Sequence, residues 1–434
     1  MADFRKVVKK LIPISLFRQI EPIGHLAEAV ISSVKYGFPS RGMHVIGITG
    51  TNGKTTTTFM IEKMLHEAGL QVAMLSTVAY GIGDDIHPQI EHITTAQSGL
   101  LQKRLSDFKK AGVKWLILET SSHSLAQHRI WGVPYEIAVM TNVTGDHLDY
   151  HGTFDRYLDA KVRLFKIANK HGRKFGVVNA DDPNAGRFVD SISRSITYGI
   201  NAGELRAKNV FLAPDHSTFQ VEIGDDDYNI HVNMPGEFNV SNALAAIAVG
   251  REAGLKKEQI EDGIRALTDV EGRMNVINVG QKFNVIIDFA STPDAFEQFF
   301  ASVRPTVKGK LIAVFGSAGR RDESKREVQG EIAGKYCNEV IITEEDDRDV
   351  DGNEILNQIA QGGIKSGKVI DTNLFKILDR ESAIKFALTR AQNPEDTVVL
   401  LGKGHEKTIE RADGEHPWNE IEITQKLLKD LINQ

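Results

Sequence analysis

The feature that most constrains this chain is one loop, Gly50-Thr51-Asn52-Gly53-Lys54-Thr55, set between an apolar run and a helical pattern. Residues 44–48 have strand length and apolar character. From 55 to 68 the apolar Phe59, Met60 and Met64 keep helical spacing before Gly69 offers a C-cap. A glycine-rich turn that leaves a strand and opens a helix aims backbone N–H groups and the helix N-terminus at one point, where a phosphate is held. Lys54 is placed to reach the outer phosphates of a nucleotide, and Thr55 to ligate Mg²⁺. The loop departs from the strict eight-residue phosphate-loop pattern, because Ile48 stands where the outer glycine belongs.

Such a loop implies a parallel sheet around it. Residues 113–118, 136–140 and 175–178 read as further buried strands alternating with helical stretches. From about 206 to 234 polar and apolar residues alternate, and Gly-Asp-Asp-Asp at 224–227 marks a hairpin turn, so a small antiparallel sheet is expected there. Helical patterns at 239–253 and 256–267 and then Gly272-Arg273 close this domain. The strand rhythm restarts at 285–289, 311–315, 340–343 and 398–401. The expected fold class is therefore α/β: a central P-loop ATPase-type domain at 44–275, with a mostly parallel sheet plus the small antiparallel sheet, and a C-terminal Rossmann-like α/β domain at 276–434.

Composition narrows the partners. The 434 residues carry a net charge of −6 with both signs interspersed, which gives no footprint for nucleic acid. There is one cysteine, Cys337, and no apolar run approaching the roughly 20 residues of a membrane span. A disulfide framework and a transmembrane segment are not expected, and the compartment read from this is the cytoplasm. Arg5, Lys6, Lys9, Lys10 and Arg18 against Asp3 make the N-terminus locally basic, with Pro13 interrupting its apolar pattern and no small-residue cleavage site after it. It reads as a short helix with a solvated basic face. Contact with an anionic membrane surface is the alternative.

Other polar residues gather at predicted strand ends, where α/β sheets meet their ligands. Glu119 precedes Thr120-Ser121-Ser122-His123 and is a candidate metal ligand. Thr141-Asn142 follows another strand, and Asp146 to His151 hold two carboxylates and two imidazoles, His147 among them.

The segments TGTNGKTTT, ETSSHSLAQHR, TNVTGDHLDYHGT and YLDAKVRLF, followed by GEFNVSNALAA, EGRMN, FGSAGRRDESKR and LGKGHE, resemble the Mur ligase family from about residue 44 nearly to the C-terminus. Together they are most similar to the branch that adds the third residue to UDP-N-acetylmuramoyl-L-alanyl-D-glutamate in peptidoglycan synthesis. The resemblance implies an ATP-dependent ligase that activates a carboxylate as an acyl phosphate and joins it to an amine.

It also implies roles. ATP is held by Gly50 to Thr56, with Lys54 on its phosphates, and by Asn239, Asn242, Arg273 and Asp288. Mg²⁺ is held by Thr55, Glu119 and His147. Lys161 matches a lysine that such enzymes carbamylate with CO₂, turning a cation into a carboxylate that can approach a metal. Without the resemblance, Lys161 reads as an ordinary helix-surface lysine. Thr94, Thr95, Ser121, Gln127 and Arg129 fall where the branch holds the UDP-muramoyl-dipeptide. Arg321, Arg348, Gly402 and Glu406 match its site for the free amino acid. A monomer is expected.

Three departures qualify the match. Only about 43 residues precede the first strand, so residues 1–43 are expected to replace the usual uridine-nucleotide-binding domain with a short segment. Where the branch reads Asp-Asn-Pro-Arg, this chain has Glu345-Asp346-Asp347-Arg348 inside the acidic run 344–351. The retained arginine suits diaminopimelate; the added carboxylates favour a lysine-like side chain on charge grounds; a solvated acidic loop is the third reading. Finally, Asp288-Phe289-Ala290-Ser291-Thr292-Pro293-Asp294 has Phe and Ser where the family has Tyr and His. Two other functions share the loop: a folylpolyglutamate-synthase-like ligase, against which the DHLDYHGT and GKGHE segments speak, and a non-catalytic nucleotide-binding partner in a cell-wall complex.

Overall fold

The computed structural model describes residues 14–89, 93–213, 215–224 and 226–433, without the side chains of residues 14–22 and 149. The basic residues 1–10 lie outside this range. The chain forms two compact units. The first takes the described residues up to Val143, Asp155–Arg206 and Leu244–Gly263. The second takes Thr144–Phe154, Ala207–Ala243 and the described residues from Ile264 onward.

The first unit is built on strands β1 (His44–Thr49), β2 (Val72–Leu75), β3 (Ala79–Ile82), β4 (Asp85–Pro88), β5 (Trp115–Glu119), β6 (Tyr135–Met140), β7 (Phe175–Asn179) and β8 (Arg194–Gly199). Their order is β8-β7-β6-β1-β5-β2-β3-β4, parallel except for the β3 and β4 edge. All residues of β2, β5 and β7 are buried, as an apolar run in a two-sided sheet requires. After β1 the chain places β2 and β5 on one side, then β6, β7 and β8 on the other. β1 therefore borders the switch point where a doubly wound sheet opens a crevice at its C-terminal ends.

The helix Lys54–Glu67 follows β1 directly and buries Met60, Ile61, Met64 and Leu65. Glu62 is buried on the same helix, one carboxylate oxygen has no hydrogen-bond partner, and burial pushes its pKa up to about 7 from 4.5. Raised in the folded state, this group costs nothing below about pH 4.5; the cost grows through the window to pH 7 and is complete above it. Glu62→Gln is expected to raise the melting temperature at pH 8, for a gain of about 1–3 kcal/mol, and to leave it unchanged at pH 4. Thermal unfolding at the two pH values checks this.

The second unit contains β9 (Leu205–Leu212, entering from the first unit), β10 (Ser217–Ile223) and β11 (Asp226–Val232), joined antiparallel. Ile223 pairs with Asp226, and Gly224 leaves β10 with φ 60°. The alternation read at 206–234 is thus a hairpin sheet, as expected. The remaining strands are β12 (Asn275–Val276), β13 (Asn284–Asp288), β14 (Leu311–Phe315), β15 (Glu339–Ile342), β16 (Leu374–Lys376), β17 (Thr397–Leu401), and the pair β18 (Thr408–Arg411) and β19 (Gly414–Pro417).

β12 to β17 form a six-stranded sheet in the order β12-β13-β17-β14-β15-β16, parallel apart from β12. Period-two alternation divides its side chains between two cores. Leu311, Ala313 and Phe315 of β14 pack with Phe296, Phe300 and Ile359 on one face. Ile312 and Val314 pack with Ile384, Leu388 and Leu428 on the other. Arg380 and Glu420 form a fully buried ion pair at 2.6 Å, both 0% exposed. No described helix is long and apolar enough to cross a membrane.

Candidate functional site

The turn after β1 is held against the end of β6. Thr51 N–H donates to the Asn142 carbonyl at 2.8 Å and Asn52 N–H to Asn142 Oδ1 at 2.9 Å, while Thr141 Oγ1 donates to the Asn52 carbonyl at 2.6 Å. A Cβ on Gly50 (φ 154°) would fall 1.8 Å from Thr141 Oγ1, so only glycine allows this approach. Gly53 adopts φ 81° at the N-cap of Lys54–Glu67, which turns the following N–H groups toward the loop mouth. Lys54 Nζ donates to the Thr51 carbonyl at 2.7 Å. The missing outer glycine of the strict pattern has a plain cause: Ile48 is a buried residue inside β1, paired to β5 and β6.

Glu119, the last residue of β5, is the hub of the site. Thr55 Oγ1 donates to its carboxylate oxygens at 3.2 and 3.1 Å. Thr77 donates its N–H at 2.9 Å and its hydroxyl at 2.9 Å, and that hydroxyl lies 3.1 Å from Thr94 Oγ1. Thr95 Oγ1 donates to the Glu119 carbonyl at 2.9 Å and accepts from Ser121 N–H at 3.1 Å. Arg129 donates to the Thr95 carbonyl through Nη1 and to Gln127 Oε1 at 2.8 Å through Nε. Eight residues, from Thr55 to Arg129, are thereby linked through side-chain and backbone hydrogen bonds at the sheet's C-terminal edge. This brings together Thr94, Thr95, Ser121, Gln127 and Arg129 with Thr55 and Glu119.

Lys161 is not on the surface. It is 1% exposed, and its Nζ donates to the Gly50 carbonyl and lies 4.5 Å from the Tyr157 ring centroid. The ordinary-helix reading fails because the helix Phe154–Ala168 turns the Tyr157 and Lys161 positions toward the loop. Tyr157 OH is 2.9 Å from Thr51 Oγ1. Tyr157 and Thr77 were not singled out from sequence. The spacing of Tyr157, four residues before Lys161 on a predicted helix, was the available signal; Thr77 had none.

Among the described residues no group of three or more His, Cys, Asp or Glu converges as a protein-only metal cage. Thr55 and Glu119 instead offer a hydroxyl and a carboxylate beside a phosphate loop. That set fits Mg²⁺, which takes one or two protein ligands and completes its octahedron with water and phosphate oxygens.

In the second unit His147 adopts φ 54° at the start of the helix Leu148–His151, with Nε2 3.3 Å from Asp146 Oδ2. Asn239 and Asn242 lie buried on Glu237–Ala253, where Asn242 Nδ2 donates to Asn239 Oδ1 at 3.2 Å. Asp288, at the end of β13, accepts from Met274 N–H at 2.9 Å and Ala290 N–H at 2.7 Å, and burial raises its pKa against the opposing effect of Arg273. Arg273 stacks over Phe289 at 4.7 Å. Phe289 also packs on His405, ring centroids 4.9 Å apart, while the Ser291 carbonyl accepts from Lys325 and Gln329, each at 3.0 Å. Phe289 and Ser291 are thus held where the family pattern has Tyr and His.

Arg321, Arg348, Gly402 and Glu406 all follow C-terminal ends of parallel strands. Arg348 (φ 56°) donates through Nε to Glu410 at 2.7 Å and through Nη1 to the Gly319 carbonyl at 2.5 Å. Lys403 Nζ sits between Asp346 at 2.8 Å and Glu406 at 2.5 Å. Arg321 is exposed. The solvated reading of the acidic run is overturned for its first four members, since Glu344, Glu345, Asp346 and Asp347 are all buried. Burial alone would raise Asp346, but Lys403 holds it below the usual carboxylate range.

Comparison with known proteins agrees with this architecture. The model of the Mur ligase middle domain matches residues 48–250, and that of the Mur ligase glutamate ligase domain matches 272–404. A UDP-N-acetylmuramyl-tripeptide synthetase from Roseiflexus sp. is 39% identical over 94% of this chain and 83% of its own length. The chain belongs to the Mur ligase family. Within the family, a UDP-N-acetylmuramoyl-L-alanyl-D-glutamate–2,6-diaminopimelate ligase from Clostridium acetobutylicum is 37% identical over 98% of this chain and 86% of its own. A solved structure of a ligase with the same description superposes with a TM-score of 0.62 at 32% identity, covering 90% of this chain and 79% of that one. Folylpolyglutamate synthase from Mycobacterium tuberculosis superposes with a TM-score of 0.73 over 94% of this chain and 95% of that one, at 16% identity, which shows a shared fold.

Proposed function

We propose that this Mur ligase family member adds an amino acid to UDP-N-acetylmuramoyl-L-alanyl-D-glutamate, with ATP converted to ADP and phosphate, in the cytoplasmic assembly of peptidoglycan precursors. The observation that carries this reading is the unbroken hydrogen-bonded chain from Thr55 through Glu119 to Thr95 and Arg129, which joins a phosphate loop to polar groups suited to a peptide carboxylate.

On this reading residues 44–275 form the ATP-binding domain and 276–434 the domain for the incoming amino acid. A substrate carboxylate attacks the γ-phosphate in line, and Lys54 offsets the charge gathering on the transferred group. Thr55 and Glu119 would hold Mg²⁺, with His147 the further ligand that the family resemblance implies, and the ion would supply Lewis-acid stabilisation of the phosphoryl oxygens. The amine of the amino acid then attacks the acyl phosphate, and phosphate leaves. Lys161, as a carbamate, gains a carboxylate while keeping an N–H for the Gly50 carbonyl. Asn239 and Asn242 serve the adenine side, Arg273 the phosphates and Asp288 the ribose. The protein acts as a monomer.

The test is phosphate release from ATP in the presence of UDP-N-acetylmuramoyl-L-alanyl-D-glutamate and a panel of amino acids. Release is expected only when acceptor and one amino acid are both present. Release driven by folate and glutamate would establish the alternative that the shared fold with folylpolyglutamate synthase keeps open, and acceptor-independent behaviour would point to a nucleotide-binding partner.

A further inference from the structure

The helix Ile14–Lys35 packs on the helix Ser98–Lys110 within the first unit. Its inner side is well held. Ala29, Ser32 and Ser33 are buried, Ser33 Oγ lies 2.8 Å from the Ala29 carbonyl and 2.9 Å from that of Trp131, and a Cβ on Gly99 would sit 3.8 Å from Ser32 Oγ. Its outer side is apolar. Ile23, Ala27, Ile31 and Val34 follow one another at spacings of four, four and three, which puts them on one face. Ile23 is 67% exposed, and Ile31 and Val34 are 60% exposed. Single exposed apolar side chains are ordinary, but a stripe of them along one helix marks an interaction surface.

The charge beside this stripe identifies what it meets. Lys35 ends the helix and Arg41 follows it, both exposed. Gly99 abuts the first helix, so Lys103 and Lys110, four and eleven residues further on, share that side of Ser98–Lys110, and both are exposed. Against them stand Glu28, half-buried, and Asp107, 3.5 Å from Lys110. Over residues 1–41 the sequence holds seven Lys and Arg and three Asp and Glu, in a chain whose net charge is −6. A second copy of this face would bring like charges together, which disfavours a symmetric pairing. A surface that is anionic above and apolar beneath matches both halves of the pattern.

We propose that this face docks the protein on an anionic phospholipid bilayer. Ile23, Ala27, Ile31 and Val34 enter the headgroup boundary, while Lys35, Lys103 and Lys110 meet the lipid phosphates. The attachment is peripheral, since no described helix is long and apolar enough to cross a membrane. The net negative charge of the rest of the chain is repelled by the same lipid, which sets the side that approaches it. The proposal does not depend on the ligase reading, and its test involves neither nucleotide nor amino acid.

The experiment is cosedimentation of the full chain with vesicles of phosphatidylcholine alone and of phosphatidylcholine mixed with phosphatidylglycerol. Binding is expected on the mixed vesicles only, and to weaken by at least roughly tenfold in about 0.5 M NaCl, where the Debye length shrinks. The triple variant Ile23→Ser, Ile31→Ser, Val34→Ser changes exposed positions, so its melting temperature is expected to hold. Its partition onto mixed vesicles is expected to fall at least roughly tenfold. The double variant Lys103→Gln, Lys110→Gln is expected to lose roughly three- to tenfold. No binding to the mixed vesicles, equal binding to both kinds, or unchanged binding by the folded triple variant overturns the proposal. A dimer that forms without lipid and that the triple variant abolishes also overturns it, and gives the face to a second copy.

Discussion

Lys161→Ala is expected to lose ligation by on the order of 10³-fold or more, and a short carboxylic acid such as acetate or propionate is expected to restore part of it. The side chain is buried against the phosphate loop, donating to the Gly50 carbonyl beside the Tyr157 ring. An ammonium there repels the Mg²⁺ that Thr55 and Glu119 are suited to hold; a carbamate attracts it. Lys161→Met keeps the apolar stem and separates lost chemistry from lost packing. Both variants should fold and still bind nucleotide weakly. Steady-state rates with and without added acid decide the matter, and near-wild-type turnover in either variant would remove the carbamate from the account.

Glu119→Gln is the second large effect. With the amide oxygen in the Oε2 position, Gln still accepts from Thr55 Oγ1 and Thr77 N–H, and its NH₂ can donate to the Thr77 hydroxyl, so the loop stays in place while the charge is lost. The expected result is a fall in kcat of about 10²–10³-fold and a Mg²⁺ requirement shifted upward by about tenfold. A MgCl₂ titration of both proteins measures it. Superimposable curves would show that Glu119 only braces Thr77.

These two residues also illustrate what sequence carries. Glu119 and the loop are legible because an apolar run of strand length ends at each, and the C-terminal end of a parallel strand is where ligands meet a doubly wound sheet. β1, β5, β6 and β7 fall where the apolar runs place them, within about two residues, for the same reason. Lys161 shows the limit. Helical spacing gives a face, but which face is buried depends on the packing of the whole unit, and a lone lysine biases the reading toward solvent. Thr77 is further from reach, since its role exists only because β2 and β5 pair in register beside Glu119. The acidic run at 344–347 misleads as solvated charge because its partners Arg411, Arg380 and Lys403 lie more than thirty residues away in sequence and meet it only through the sheet order.

The central claim is that a carboxylate on the acceptor is activated by phosphoryl transfer from ATP. It is tested most directly by labelling the carboxylates of UDP-N-acetylmuramoyl-L-alanyl-D-glutamate with ¹⁸O and analysing the inorganic phosphate released on ligation. An acyl-phosphate route transfers one ¹⁸O atom to each phosphate formed, and the account predicts that transfer. Phosphate free of label, or released at the same rate without the acceptor, would contradict it.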